Sequence, residues 1–327
     1  MNQLLSVVVP CFNEEEVIEE TWRRLSAQLE RFSALHSLRY EVIFVDDGSR
    51  DRTLELLQQI HTKHATQFPS GLGFIRVISL ARNFGHQVAL SAGLTYAKGA
   101  ATVAIDADLQ DPPEVIGEMI ARWQAGVDVA YGMRRTREGE TAFKLLTARI
   151  FYVFVRKLTR IDIPLDTGDF RLMSRRALDA FNSMHERHRF IRGMIPWLGY
   201  RQEAVLYDRA KRFAGTTKYP FSKMLKLALD GITSFSNAPL QTAYLVGFGV
   251  AAMCVLFAIY VALRQIFFGF PVIGWASLMA AIMFLGAVQL ICVGILGEYV
   301  GRIYDEVKRR PLFLIDEEAS RGAREAF

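Results

Sequence analysis

An acidic run in the middle of the chain has the residue types and spacing of a divalent-metal site. Asp106, Asp108 and Gln110 alternate with two apolar residues, directly after the apolar run 101–105. If the backbone stays extended, alternate side chains point to one side and bring two carboxylates and an amide oxygen together. Mg²⁺ and Mn²⁺ prefer such oxygen ligands and leave positions for substrate phosphates. We therefore predict a Mg²⁺ or Mn²⁺ site here. The alternative is that one aspartate caps the next helix and the other is solvated.

A second acidic pair, Asp46 and Asp47, follows the apolar run 40–45. A carboxylate at the end of a strand can accept a hydrogen bond from a nucleotide base or a ribose hydroxyl. The alternative is a simple turn, because Gly48 and Ser49 are typical turn residues. Asp51 is expected to cap the following helix.

Apolar runs alternate with helical patterns over the first 133 residues. This alternation predicts an α/β fold with a mostly parallel sheet, in which ligands bind beyond the carboxyl ends of the strands. We expect Asn13 to cap the first helix. The polar clusters that follow the first, second and fourth strands should therefore meet at one edge. Neither a Gly-x-Gly-x-x-Gly run after the first strand nor a Walker lysine loop is present in the sequence, which argues against dinucleotide oxidoreductases and P-loop enzymes. The predicted strands are 4–10, 40–45, 74–80, 101–105 and 127–133.

The hydrophobic residues, 51% of the 327, are concentrated toward the end of the chain. Residues 238–263 and 267–297 carry no charge, and each run exceeds the ~20 residues that cross a bilayer as a helix. Residues 134–226 contain 21 lysines and arginines against 9 acidic residues, and Lys308, Arg309 and Arg310 follow the second run. This distribution predicts two membrane spans, with the domain that precedes them and both termini in the cytoplasm. A soluble basic face is the alternative. No nucleic-acid-binding motif was found, so no nucleic acid partner is expected.

The same patterns suggest a division of the chain and contacts between helices. Residues 219–236 form an amphipathic stripe typical of a helix lying at a membrane surface, or of one packed on the core. We also expect a helix at 139–158 and a hairpin at 201–211. Glycines in the spans allow close contact between spans or subunits, and we expect a homo-oligomer. The predicted units are a catalytic domain (1–187), interface helices with a hairpin (188–237), two transmembrane helices (238–300) and a cytoplasmic tail (301–327).

The motif series VVVPCFNEEE, VDDGS, ARNFGHQVALSAGL, DADLQDPPE and DTGDFRLMSRRA resembles the family 2 glycosyltransferases of the GT-A fold. Within that family, the chain is similar to the polyprenyl-phosphate sugar transferases, which include dolichyl-phosphate mannose synthases and bactoprenol glucosyltransferases. The resemblance covers residues 4–237, and the two predicted spans fit the bactoprenol branch.

The resemblance implies roles for individual residues. Catalytic roles fall on Asp106, Asp108, Asp169 and Arg171, and the metal would be held by Asp106, Asp108 and Gln110. Asp166, Asp169 and Arg171 would lie near the acceptor. The nucleotide-sugar pocket would be lined by Pro10, Asn13, Glu14, Asp46, Asp47, Arg82, Asn83, Gly85 and Asp106.

The expected reaction moves glucose from UDP-glucose to undecaprenyl phosphate in a single inverting displacement. The acceptor phosphate is already ionised near pH 7, since its second pKa is ~6, so no strong general base is needed. Cations must instead gather this phosphate. Among the candidates Arg171, Arg192, Arg201, Arg212 and Lys218, we favour Arg171, Arg192 and Lys218.

Three alternatives remain open. The first is the same reaction with another sugar: formamido-arabinose, mannose or GlcNAc in place of glucose. A processive polysaccharide synthase would need more spans and a Gln-x-x-Arg-Trp run, which the sequence lacks. A non-catalytic membrane scaffold that keeps the fold is disfavoured by the intact Asp106, Asp108 and Gln110.

Overall fold

A seven-stranded sheet forms the centre of the computed structural model, which describes residues 3–67, 73–135, 167–209, 238–268 and 274–320. The predicted helix at 139–158, the amphipathic stripe at 219–236, Asp166, Arg212 and Lys218 lie outside these residues. The strands are β1 (Leu4–Cys11), β2 (Arg39–Asp46), β3 (Gly73–Ser79), β4 (Ala101–Ala104), β5 (Val129–Arg134), β6 (Thr167–Ser174) and β7 (Gln202–Tyr207).

The sheet is mixed rather than wholly parallel. Its order is β3-β2-β1-β4-β6-β5-β7, and β6 runs antiparallel to both of its neighbours. The predicted hairpin at 201–211 is wrong, because β7 pairs in parallel with β5 at the outer edge of this same sheet. The sheet therefore extends to Tyr207, past residue 187, where the first predicted unit ends.

The first four helices connect strands β1 to β5 as crossovers. Pro113 opens a short 3₁₀ turn (Pro113–Val115) ahead of the fourth helix, as proline does in a first turn. The α-helices are α1 (Ile18–His36), α2 (Thr53–Gln67), α3 (His86–Tyr96), α4 (Ile116–Gln124), α5 (Arg175–Asn182), α6 (Ile191–Trp197), α7 (Ala238–Phe268) and α8 (Trp275–Val307).

Alternate residues of the central strands fill two cores, one on each face of the sheet. On β1, Val7 and Val9 face the core formed with α1, α2 and α4, whereas Val8 faces the core formed with α3, α5 and α6. All three side chains are fully buried. Burial on both faces explains why β1 and β2 are almost continuously apolar.

Asn13 does not cap α1, contrary to the prediction. The helix begins four residues later than expected, at Ile18, and Val17 precedes it without a side-chain cap. Asn13 instead adopts a left-handed conformation with φ of 53°, which asparagine tolerates better than most residues. The acidic first turn is made by Glu19 and Glu20, and their charges suit the helix dipole.

Helices α7 and α8 are long and apolar enough to cross a membrane, and they pack against each other. Their large side chains are exposed rather than buried: Phe257 is 65% and Leu290 is 73% exposed. In water such a surface would be unfavourable, so a lipid environment is its natural surrounding. The apolar stretches are Pro239–Phe257 and Ser277–Val307.

The chain returns to the catalytic domain after α8. Residues 311–320, which we name the C-terminal strap, lie beside the end of β3, where Leu80 and Ile315 form an antiparallel bridge. The strap belongs to the residues predicted as a cytoplasmic tail, and its docking was not anticipated.

Candidate active site

The first two strand-to-helix loops of the sheet are held together by hydrogen bonds. The Asn13 amide donates to the Ser49 hydroxyl at 3.0 Å, and the Asn13 side-chain oxygen accepts from the Arg50 amide at 2.9 Å. The Glu14 amide donates to the Thr53 hydroxyl at 2.8 Å. Asn13 and Glu14 therefore lie at the edge predicted to bind a nucleotide, and their hydrogen bonds hold its two loops together.

Pro10 and Asp46 lie where β1 and β2 end. Pro10 lies beyond the last residue of β1 that pairs with β4, which is Val8, so its missing N–H breaks no hydrogen bond of that pairing. Asp46 is 1% exposed, and its Oδ2 accepts from the Ser49 amide at 3.3 Å. Its Oδ1 is buried and has no hydrogen-bond partner among the described residues. Burial raises the pKa of Asp46. A buried carboxylate oxygen without a hydrogen-bond partner is suited to accept from an N–H or O–H group of a ligand.

Asp47 supports the loop between β3 and α3. Its carboxylate accepts hydrogen bonds from the Asn83 side chain at 3.0 Å and from the amides of Phe84 and Gly85 at 2.7 and 2.9 Å. Gly85 has a φ of 101°, which suits glycine at this helix start. Asp47, Asn83 and Gly85 were predicted to contact the nucleotide sugar; that contact stays a prediction, and the structure adds a supporting role for each.

Gly48 lets the two loops approach closely. It has a φ of 65°, and a Cβ added there would lie 2.6 Å from the carbonyl carbon of Arg82. The Arg82 guanidinium carbon lies 4.0 Å from the centre of the Phe84 ring, on the exposed side of this loop. Arg82 therefore lies at the same edge of the sheet as Asp46, in the loop of residues 82–85, which we name the rim of the site.

The backbone turns at the predicted metal site instead of staying extended. Strand β4 ends at Ala104, Leu109 adopts a φ of 57°, and Asp108 Oδ1 accepts from the Gln110 amide at 3.1 Å. The alternation argument for these side chains is therefore wrong. The Thr21 hydroxyl donates to the Ala107 carbonyl oxygen at 2.6 Å and ties this turn to α1.

The acids of this turn share one electrostatic environment. Burial, together with the charges of Asp169, Asp111 and Asp108, raises the pKa of Asp106 to about 6, although the charge of His86 lowers it. The described residues hold no group of three or more His, Cys, Asp or Glu side chains that would enclose an ion. Two neighbouring carboxylates nevertheless fit Mg²⁺ or Mn²⁺, because such ions are commonly held by one or two carboxylates together with substrate phosphates.

Asp169 on β6 is the centre of a second polar network. It is 2% exposed, and its two oxygens accept from Arg192 Nε and Nη2, each at 3.0 Å. Gln87 Nε2 donates to Asp169 Oδ2 at 3.2 Å, and Gln87 Oε1 accepts from the Ile191 amide at 3.2 Å. Although burial opposes ionisation, Arg192 and His86 hold the pKa of Asp169 well below its ordinary value.

His86 joins the two acidic groups, and the sequence analysis did not single it out. Its Nε2 lies 3.2 Å from Asp169 Oδ2 and 3.6 Å from Asp106 Oδ1. Burial lowers the pKa of His86, but the hydrogen bond with Asp169 and the charges of Asp106 and Asp169 outweigh it and raise the pKa to about 9. The signal available was its position in the motif ARNFGHQ, at the first turn of α3.

Arg171 and Asp111 are two further buried charged residues of the site. Arg171 is 4% exposed, and its Nη2 donates to the Gly168 carbonyl oxygen at 2.7 Å. Burial lowers the pKa of Arg171 to about 10. Asp111, also missed from the sequence, accepts a short hydrogen bond from the hydroxyl of Tyr207 on β7. Burial raises the pKa of Asp111.

The model of glycosyl transferase family 2 matches residues 6–181, which make up more than half of the chain. The matched range includes the site residues from Pro10 to Arg171. The chain belongs to this family. Both the predicted glycosyltransferase activity and the predicted GT-A fold with two C-terminal apolar helices are confirmed.

Three comparisons show what the chain resembles. The uncharacterized glycosyltransferase sll0501 of Synechocystis is 46% identical over 313 residues, which cover 96% of this chain and 95% of that protein. The SfII prophage-derived bactoprenol glucosyl transferase of Shigella flexneri is 40% identical over 311 residues, covering 95% of this chain and 97% of that one. The solved glucosyl-3-phosphoglycerate synthase of Mycobacterium tuberculosis is 19% identical with a TM-score of 0.46, covering 71% and 78% of the two chains. We draw nothing from this last likeness.

Proposed function

We propose that this glycosyltransferase moves glucose from UDP-glucose to a polyprenyl phosphate, of which undecaprenyl phosphate is the expected form. The observation that carries the proposal is the 40% identity to a bactoprenol glucosyl transferase over 95% of the chain. A match of this length includes both the polar edge of the sheet and the apolar helices. The two apolar helices support a lipid acceptor, because a polyprenyl chain stays in the bilayer.

The nucleotide would bind at the ends of β1 and β2. We expect the buried Oδ1 of Asp46, which has no hydrogen-bond partner among the described residues, to accept from the base or the ribose. Pro10, Asn13 and Glu14 would line the same pocket, with Arg82, Asn83 and Gly85 at its far rim. Asp47 would act by holding that rim in place.

Asp106, Asp108 and Gln110 would hold Mg²⁺ or Mn²⁺ against the diphosphate. When bound, such an ion neutralises the charge that develops on the leaving diphosphate. Asp106 would in addition lie over the nucleotide. His86, placed between Asp106 and Asp169, would hold these two acids in a fixed relation.

The acceptor phosphate would approach from the side of β6. One of its oxygens would form a bond to the anomeric carbon while the bond from that carbon to the diphosphate breaks, so UDP leaves and the configuration inverts. Arg192, Arg171 and Lys218 would gather the phosphate, and Asp169 would orient Arg192 through its two hydrogen bonds.

The same proposal places the protein in the inner membrane. Both α7 and α8 would span the bilayer, with the catalytic domain and both termini in the cytoplasm, since Lys308, Arg309 and Arg310 follow α8. Glycines on these helices would allow close contact between copies in a homo-oligomer.

A donor scan tests the proposed function. Membranes that contain the chain are incubated with undecaprenyl phosphate, Mg²⁺ and one radiolabelled nucleotide sugar at a time, and the lipid is extracted. We expect label in the lipid from UDP-glucose, and none with Asp108→Asn. Asp179→Asn serves as the matched control, because Asp179 is exposed and, among the described residues, its carboxylate pairs with Arg175 alone. Label from another sugar would correct the donor, and no label from any sugar would overturn the proposal.

A further inference from the structure

The C-terminal strap is joined to the outer strand of the sheet by main-chain hydrogen bonds. The Ala81 amide donates to the Leu314 carbonyl oxygen at 2.9 Å, and the Asp316 amide donates to the Ser79 carbonyl oxygen at 2.8 Å. These two bonds flank the opposed pair Leu80 and Ile315. The strap therefore continues the pairing of the sheet at the end of β3.

Side chains of the strap strengthen this docking. The hydroxyl of Ser320, which is 8% exposed, accepts from the Ser79 amide at 3.0 Å. Gln58 Nε2 on α2 donates to the Ala319 carbonyl oxygen at 2.7 Å. Phe313 packs edge-on to Tyr96 at the end of α3, with ring centres 6.3 Å apart. A segment with these contacts is held against the sheet rather than trailing from the helix.

A second contact joins the end of α8 to the loop before α6. The Arg187 amide donates to Glu306 Oε1 at 2.6 Å, and Arg187 Nη1 donates to the Arg310 carbonyl oxygen at 3.0 Å. His188 Nε2 lies 3.6 Å from Asp305 Oδ2. We name these interactions the helix-end contact.

Both contacts lie next to segments that build the active site. The strap binds Ala81, the neighbour of Arg82 in the loop that Asp47 holds. The helix-end contact involves Arg187 and His188, which lead directly into α6 and Arg192, the partner of Asp169. The apolar helix α8 is thus connected to both the donor rim and the acceptor side of the site.

We propose that the strap and the helix-end contact set the height and orientation of the active site above the bilayer, so that the phosphate of a membrane-bound acceptor reaches Asp169 and Arg192. This inference rests on the proposed function. A lipid phosphate moves in the plane of the membrane at a nearly constant depth, so the site must be held at that depth. Misplacement by as little as ~1 Å can lower a rate by about a hundredfold. Arg187, Glu306 and Ile315 are positioning residues on this account.

The test compares one acceptor in two surroundings. The full chain is placed with undecaprenyl phosphate either in phosphatidylethanolamine and phosphatidylglycerol nanodiscs or in Triton X-100 micelles, and kcat and KM are measured with UDP-glucose. A micelle adapts its surface to the protein, whereas a bilayer does not. Glu306→Ala should lower kcat/KM for the lipid by about tenfold in nanodiscs and by less than threefold in micelles. The KM for UDP-glucose should stay unchanged in both.

The matched control is Glu298→Ala, on the same helix, because the ion pair of Glu298 within the described part of the chain is with Arg302 of α8. This control should keep the activity of the unsubstituted chain in both surroundings. Equal losses for Glu306→Ala in nanodiscs and micelles, or no loss in nanodiscs, would overturn the inference. A lack of transfer by the unsubstituted chain in both surroundings would instead overturn the proposed function.

A reversible cross-link tests the strap separately. Leu80 and Ile315 are opposed without direct hydrogen bonds between them, an arrangement with Cα atoms about 4.5 Å apart, which suits a disulfide. The oxidised Leu80→Cys, Ile315→Cys chain should transfer glucose in nanodiscs at least as fast as its reduced form. Loss of activity on oxidation, recovered on reduction, would show that the strap must leave during turnover and would contradict the proposal.

Discussion

The guanidinium of Arg192 meets the carboxylate of Asp169 side-on, with both nitrogen–oxygen distances at 3.0 Å. This pair joins α6 to β6 across the acceptor side of the site, and Asp169 is almost fully buried. A two-pronged pair of this kind fixes direction as well as distance, which lysine cannot reproduce.

Arg192→Lys should therefore damage the use of the acceptor more than the use of the donor. We expect kcat/KM for undecaprenyl phosphate to fall by about tenfold or more, with the KM for UDP-glucose within twofold of the original. Steady-state kinetics in nanodiscs measure both. The control is Arg201→Lys, whose exposed guanidinium pairs with Glu203. A loss that is equal for Arg192→Lys and Arg201→Lys would contradict the role of the pair.

The acid stability of the protein should depend on Asp169. Its pKa is held well below the ordinary value, so its charge stabilises the fold fully above the unfolded pKa of ~3.9, and this contribution is lost as the pH falls below that value. The melting temperature of the unsubstituted chain should drop between about pH 4 and pH 2. Asp169→Asn should melt lower at pH 7 and show a flatter decline in acid. An acid decline as steep in Asp169→Asn as in the original would show that this carboxylate does not contribute.

Asp46→Asn should separate stability from nucleotide binding. Because the carboxylate is buried with one oxygen unpaired, its neutral analogue should leave the melting temperature unchanged or higher. The affinity for UDP should fall by about tenfold, as expected when a hydrogen bond to a charged group is lost. Thermal melting and calorimetric titration with UDP measure the two effects.

Asp51→Asn, in the neighbouring turn, is a control for which we expect the opposite effects on stability and on UDP binding. Asp51 accepts from the Thr53 amide at 3.0 Å and from the Glu15 amide at 3.2 Å, so it supports the fold without facing the predicted pocket. It should lower the melting temperature and keep the affinity for UDP. If the two variants behave alike, Asp46 is a structural residue.

Gly48→Ala should disturb the donor rim. The added methyl would lie 2.6 Å from the Arg82 carbonyl carbon, at a φ of 65°, so the loop from Arg82 to Gly85 must shift. We expect the KM for UDP-glucose to rise by about tenfold. Gly126→Ala is the matched control, because Gly126 has a φ of 90° but open space around its Cβ position. It should cost about 1–2 kcal/mol of backbone strain and leave the KM unchanged. Similar kinetics for both variants would contradict the close approach.

Local sequence patterns predict the first five strands and their polar ends, but not the whole sheet. Each of these strands is an apolar run that ends at turn or acidic residues, and β2 and β4 match the predicted runs within two residues. The antiparallel β6 and the outer strand β7 depend on pairings between distant segments, which no local pattern encodes.

The site shows the same limit. Residue types identified Asp106 and Asp108, because clustered acids at a strand end are visible in one dimension, whereas Asp169 was identified through the family resemblance. His86 acquires its role only through Asp169, 83 residues further along the chain. The turn at Leu109 and the supporting role of Asp47 were likewise missed, since both depend on backbone conformations and amide partners that side-chain spacing does not show.

The central claim concerns glucosyl transfer to a lipid phosphate with inversion, and the linkage of the product tests it most directly. The purified full chain in nanodiscs is given UDP-glucose, undecaprenyl phosphate and Mg²⁺, and the extracted lipid is examined by mass spectrometry and NMR. The account predicts undecaprenyl phosphate carrying one β-linked glucose. An α-linked glucose, or no glucosylated lipid although the chain binds UDP, would contradict it.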